Sequence, residues 1–208
     1  MIQLASYNFS TIENPLSNGG KFTTCPTMSP LQVPSANVCE ASVISTHCGA
    51  YWSAAVPPAG NWPADQYAEI TISSDYVADA TGYFIPLLRQ SSAIDTDYRA
   101  YIITGVNNAL FQAHSAGVAH QIGPSFTLVP AANDVWRFIV IGNVLLLTQN
   151  GTQVATTTDS NNYAIAGSPG LDLFAATLTK EKVVLWAGGG NPGGGSDLGP
   201  AYDFKLRF

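Results

Sequence analysis

The chain has 208 residues, of which 11% are charged, and a formal net charge of −6 from fourteen acidic residues against eight basic ones. Nucleic acids and anionic membrane surfaces are held by clustered Lys and Arg; no such cluster exists, and no apolar run approaches the length of a membrane span. The remaining polarity comes from Ser, Thr, Asn, Gln and Gly, a surface suited to sugars, crowded assemblies or durable extracellular particles.

The opening segment, MIQLASYNFSTIENP, lacks a basic n-region and a long apolar h-region, so it does not read as a signal peptide. A strand is expected at 4–9. Cys25, Cys39 and Cys48 follow, an odd number that matches no zinc spacing. Three buried thiols are expected, with a bridge from Cys25 to Cys39 or Cys48 as the alternative. Strands are read at 38–46 and 50–53, then a Pro-rich loop at 57–63. Further strands are read at 66–73, 83–90, 98–104, 109–113 and 118–122, broken by Gly, Pro, Asn and Ser.

The run DVWRFIVIGNVLLLTQNGTQVATTT, 134–158, predicts three antiparallel strands at 135–141, 144–149 and 153–157. Asn150-Gly151 between alternating runs is a strong hairpin signal, because a type I′ turn needs positive φ at both central residues. Strands at 170–174 and 183–186 precede a Gly-rich loop at 187–200. The tail AYDFKLRF, 201–208, alternates and predicts a closing strand at 202–207 beside the N-terminal one. This many short strands exceeds one open sheet and predicts two packed antiparallel sheets in a single all-β domain spanning 1–208. No repeat of fixed period occurs.

Three segments carry a family resemblance. They are Asn8-Phe9 with ENPLSNGGKF (13–22), WPADQYAEITI (62–72), and DVWR (134–137) through QNG (149–151) to GSPGL (167–171). In this order they resemble the concanavalin A-like (laminin G-like) jelly-roll domains of bacteria and their phages. The resemblance implies a two-sheet antiparallel jelly-roll β-sandwich with a concave face. It implies no single activity, because the fold hosts lectins, carbohydrate-binding modules, glycoside hydrolases, polysaccharide lyases and virion proteins.

Hydrolases of this fold place carboxylates at i, i+2 and beyond on one strand, since retaining chemistry needs acid and nucleophile about 5 Å apart. Here Glu69 stands alone on its strand with Asp65 four residues earlier, which argues against that chemistry. The R-x-E-x-R and Q-x-H strand patterns of the lyases are missing too. What alternation does supply is a set of polar residues inside strands. Tyr67 and Glu69 face away from Ala68, Ile70 and Ile72; Arg99 and Tyr101 face away from Ala100 and Ile102; Arg137 separates Trp136 and Phe138; Arg89 lies in a further strand. If those strands are neighbours, Glu69, Arg89, Arg99 and Arg137 form one polar face, either a ligand site or a solvated ion-pair ladder of little energetic weight.

Tyr51, Trp52 and Trp62, flanking the Pro-rich loop, are candidate sugar platforms; the alternative for Trp62 is a loop anchor on the sheet edge. Trp136 and Trp186 read as packing. His114 and His120 flank a turn at 115–117 and lack an evident third metal ligand. No cofactor is expected, and the aspartates near loops (Asp65, Asp75, Asp79, Asp95, Asp97) have no spacing that supports a structural calcium. Nucleophile-elbow, phosphate-loop and H-E-x-x-H motifs are absent from the sequence.

The resulting expectation is a non-catalytic binding or structural module contacting glycans. Its most concrete version is a virion-associated protein of a phage capsid or tail, or a surface-displayed one. A secreted carbohydrate-binding protein is the first alternative and a lyase or hydrolase of the same fold the second. Partners are then a glycan or a neighbouring virion or surface protein. A low-charge β surface also tolerates docking of a second copy.

Overall fold

A computed structural model describes residues 1–56, 60–79 and 81–190. Among them there is no helix, and fifteen strands form two sheets whose strand pairs are all antiparallel. The eight-stranded sheet runs in the order β13 (Thr152–Thr158), β12 (Val144–Gln149), β11 (Val135–Ile141), β6 (Gln66–Ile72), β15 (Val183–Gly190), β4 (Val38–Ala41) and β3 (Leu31–Ser35); β1 (Ile2–Tyr7) also pairs with β15. The seven-stranded sheet runs β10 (Val118–Thr127), β9 (Asn108–Ser115), β8 (Asp97–Ile103), β7 (Tyr83–Gln90), β14 (Ser168–Phe174), β5 (His47–Trp52) and β2 (Phe22–Thr24).

Alternation along the strands builds the core between the sheets. Ala68, Ile70 and Ile72 of β6 and Trp136, Phe138 and Val140 of β11 meet Tyr98, Ala100 and Ile102 of β8 and Phe111 of β9 in one buried cluster. Two stacked pairs bridge the sheets: Phe111 on Phe138, with ring centroids 5.6 Å apart, and Trp52 on Trp186 at 5.5 Å. Each such fully buried side chain stabilises the fold by about 1.5–3 kcal/mol.

The meander predicted at 134–158 is present strand for strand. Asn150 and Gly151 both hold positive φ (52° and 79°), as a type I′ turn requires. Between β9 and β10 the loop is two residues, Ala116 and Gly117, again both at positive φ. A two-residue loop separates the histidines: His114 meets Asp95, while His120 stacks on Tyr163 at 4.2 Å. The three cysteines are buried free thiols.

Some boundaries differ from the sequence reading. The run at 38–46 stops at Ala41, and Ser45 turns into the left-handed region. Strands β2 and β3 were not foreseen; β2 is three residues long and β3 contains Pro34, so neither shows a clear period. The expected glycine loop at 187–200 begins too early, since Ala187 to Gly190 complete β15, buried between β1 and β6. The rest of that loop, the tail strand at 202–207 and positions 57–59 of the Pro-rich loop lie outside the described residues.

Candidate functional site

The four strand residues expected to share a polar face are divided among three places. Glu69 and Arg137 are register partners on β6 and β11, on the outer face of the eight-stranded sheet. Their ion pair is 2.6 Å long, and the guanidinium lies 4.5 Å over the Tyr67 ring. Tyr67 itself is buried with Ile139 and Leu146. Arg99 belongs to β8 in the other sheet. Arg89 stays within β7, but a φ of +53° at a register irregularity turns its side chain toward the loops. Only 3% exposed, it donates to three backbone carbonyls, Ala64 O (2.9 Å), Ala164 O (2.8 Å) and Gly142 O (2.7 Å).

Around Arg99 the outer face of the seven-stranded sheet carries a belt of charge that the sequence did not reveal. The guanidinium, 3% exposed, makes a two-pronged contact with Asp97 at 2.9 Å, a further one with Asp95, and reaches Asp172 at 4.0 Å. Each end of the belt closes on an imidazole: His47 Nδ1 lies 2.7 Å from Asp172 Oδ2, and His114 Nδ1 lies 3.1 Å from Asp95 Oδ2. Burial disfavours the charged form of His47, but the hydrogen bond and charge of Asp172 outweigh it and raise its pKa. Burial raises Asp97 in spite of Arg99. Asp95 is lowered, burial being overcome by His114 and Arg99. Tyr101, packed by Ile85 and Leu87 beside the belt, is pushed up to about 12 by burial.

Asp95, Asp97 and His114 offer donor atoms within 4.8 Å of one another. Both carboxylates are already engaged by the Arg99 guanidinium. His47 is the most exposed member of the belt, its side chain at 34%, ringed by Tyr83, Tyr101 and Phe174 with centroids 5.2–6.2 Å away. One signal could have found this belt: Asp172 interrupts the otherwise apolar run GLDLF, where an unpaired charge would be costly.

The two candidate tryptophans also part company. Trp52 is 7% exposed, with Trp186 stacked on one side and Phe22 edge-on at 5.1 Å. Its faces are covered, so it is a core residue and not a platform. Trp62 is half-buried and lines a cleft of 510 Å³ at one end of the sandwich, where β5 ends and β6 and β14 begin. One edge of its ring leans on Gly188 of β15. Its Nε1 is buried without a hydrogen-bond partner among the described residues. The other lining residues are Ser53, Ala54, Gly60, Asn61, Ala64, Ala166, Gly167 and Ser168. Not one is charged; hydroxyls, a carboxamide and backbone amides surround the indole.

No family model matches the chain, and no curated protein matches it in sequence. Solved structures do resemble it. A carbohydrate-binding module, CBM66, from Bacillus subtilis superposes with a TM-score of 0.58 at 15% identity, over 82% of this chain and 94% of that one. A prokaryotic β-1,3-1,4-glucanase (lichenase) derived from a mouse hindgut metagenome gives 0.55 at 9% identity, over 91% and 100%. The exoplasmic/lumenal domain of VIP36, in its Ca²⁺/Man3GlcNAc-bound form, gives 0.56 at 4% identity, over 87% and 90%. The shared architecture is the concanavalin A-like jelly-roll sandwich, as the sequence resemblance implied.

Proposed function

We propose that this sandwich is a non-catalytic glycan-binding module whose ligand seat is the cleft beside Trp62, and that the ligand is uncharged. The observation that carries the reading is the lining itself. A half-buried indole surrounded by hydroxyl, carboxamide and peptide groups offers a stacking surface for a sugar's C–H face and neutral hydrogen-bonding partners for its hydroxyls. A carboxylated or sulfated sugar would find no counter-charge among these side chains. Similarity in fold to a carbohydrate-binding module and to the VIP36 exoplasmic/lumenal domain in its Man3GlcNAc-bound form supports the same reading.

Catalysis is disfavoured by how the charges are engaged. Glycoside hydrolysis needs two carboxyl groups that reach the scissile bond. Asp97 and Asp172 are fully buried and Glu69 is paired with Arg137. Lyase chemistry needs a cation free to neutralise a uronate, yet Arg89, Arg99 and Arg137 are all engaged within the protein. Display on a virion or on a secreted surface remains the finer part of the proposal. It is supported by the low charge and by the phage and bacterial character of the domains the sequence resembles.

The test is a glycan array probed with the wild-type protein and with W62A. Binding to neutral glycans that W62A abolishes supports the reading. No binding at high protein concentration, or release of reducing or unsaturated ends from β-glucans or uronates, overturns it.

A further inference from the structure

The cleft has two walls from distant parts of the chain, and one pair of buried side chains fastens them together. The first wall contains Trp62 and Ala64, the second Ala166, Gly167 and Ser168. Gln66 Nε2 donates to Pro63 O at 2.8 Å and to Gly167 O at 3.1 Å, so a single carboxamide nitrogen spans both walls. Its Oε1 accepts the backbone N–H of Arg89 at 3.0 Å. The Arg89 fork then repeats the span, with Nε on Ala64 O and Nη1 on Ala164 O. Its remaining arm, Nη2, holds Gly142 O in the β11–β12 turn, and that turn's N–H in turn donates to Asp65 Oδ1 at 2.8 Å.

The backbone of the second wall is seated on Arg89 as well. Gly167 has a φ of +144°, and a Cβ there would lie 2.3 Å from Arg89 O. Only glycine allows this approach. Arg89 is therefore held in an unfavourable left-handed conformation by a surrounding that uses every arm of its guanidinium. A lysine offers a point charge without the fork and cannot reach three carbonyls in fixed directions.

We propose that Arg89 and Gln66 are positioning residues of the Trp62 cleft, setting the separation of its two walls without touching the ligand. This rests on the glycan-binding reading for its purpose but not for its geometry. A binding site needs walls whose own positions are locked by a supporting layer, and here that layer is two residues deep in the sandwich end.

The experiment measures amide hydrogen exchange by mass spectrometry in R89K, Q66L and W62A. It also titrates each with the neutral trisaccharides cellotriose, laminaritriose and maltotriose. R89K and Q66L are expected to speed exchange in both 62–66 and 164–168 at least about tenfold, leaving the centres of β8 and β11 protected. They are expected to weaken whichever trisaccharide binds by a similar factor. W62A should abolish binding with exchange in the second wall unchanged. Unaltered exchange in either wall, or acceleration spread evenly over both sheets, overturns the proposal. If R89K does not fold, Q66L decides by the same criterion. If none of the three sugars binds the wild type, the ligand reading fails in this panel while the exchange data still decide the clamp.

Discussion

The Trp62 cleft and the Arg99 belt lie on the same sandwich and follow opposite chemical rules. The cleft is open and carries no charged side chain. The belt packs three aspartates, one arginine and two histidines onto the outer face of the seven-stranded sheet, most of them buried. In these two places the ionised groups serve the architecture and the neutral ones meet the surroundings. Arg89 belongs with the belt in this respect, although it acts on the cleft: its guanidinium is held by three peptide carbonyls and lies 5.6 Å over the Tyr98 ring.

The sharpest way to break this division is R99M. Removing one partner from a buried ionic network leaves the others uncompensated, so a loss of about 3–5 kcal/mol is expected in urea or thermal unfolding, with no change in sugar affinity measured below the transition. An unfolding midpoint near that of the wild type would show the belt to be ornamental. W62A is the converse variant. Loss of the central aromatic anchor is expected to leave no sugar binding detectable in calorimetric titration, with little change in melting temperature.

A third test uses pH. Because the His47 pKa is raised on folding, its contribution is fully present below the ordinary imidazole value of 6.5 and is lost as pH rises through the folded-state value. Unfolding free energies from pH 5 to 9 should therefore fall more steeply across that window in the wild type than in H47Q, while the cleft, lacking titratable lining, binds its sugar with flat pH dependence. The smallest effect is expected from R137A. Its pair with Glu69 is close to the surface, so at most about 1 kcal/mol is lost and binding in the cleft is unchanged. Loss of sugar binding in R137A instead would move the ligand to the outer face of the eight-stranded sheet.

Short-range order was legible in the sequence wherever alternation was strict. The β11–β13 meander follows from its Asn-Gly turn and period of two. The outward faces of Glu69 and Arg137 follow from the same count, and their pairing from β6 and β11 being neighbours. What alternation cannot supply is the order of strands within a sheet. Arg99 lies in one sheet and Arg137 in the other, and Asp172 reaches Arg99 only because β14 enters between β5 and β7. Arg89 lies in a strand as read, but a single positive φ turns its side chain toward the loops. Trp52 and Trp62 look alike as aromatics beside a Pro-rich loop; only the stacking of Trp186 distinguishes core from cleft.

The glycines of β15 have a practical consequence. By composition alone, a tract beginning AGGGNPGGG would be taken as a hinge between parts, a natural place to join a tag or cut a boundary. Its first four residues instead run between β1 and β6. A Cβ on Gly189 would lie 2.1 Å from Ile2 O, and one on Gly190 would lie 2.2 Å from the Pro63 ring. A fusion partner or truncation placed there would separate the chain's first strand from the rest of its sheet, so no engineered junction belongs within 187–190.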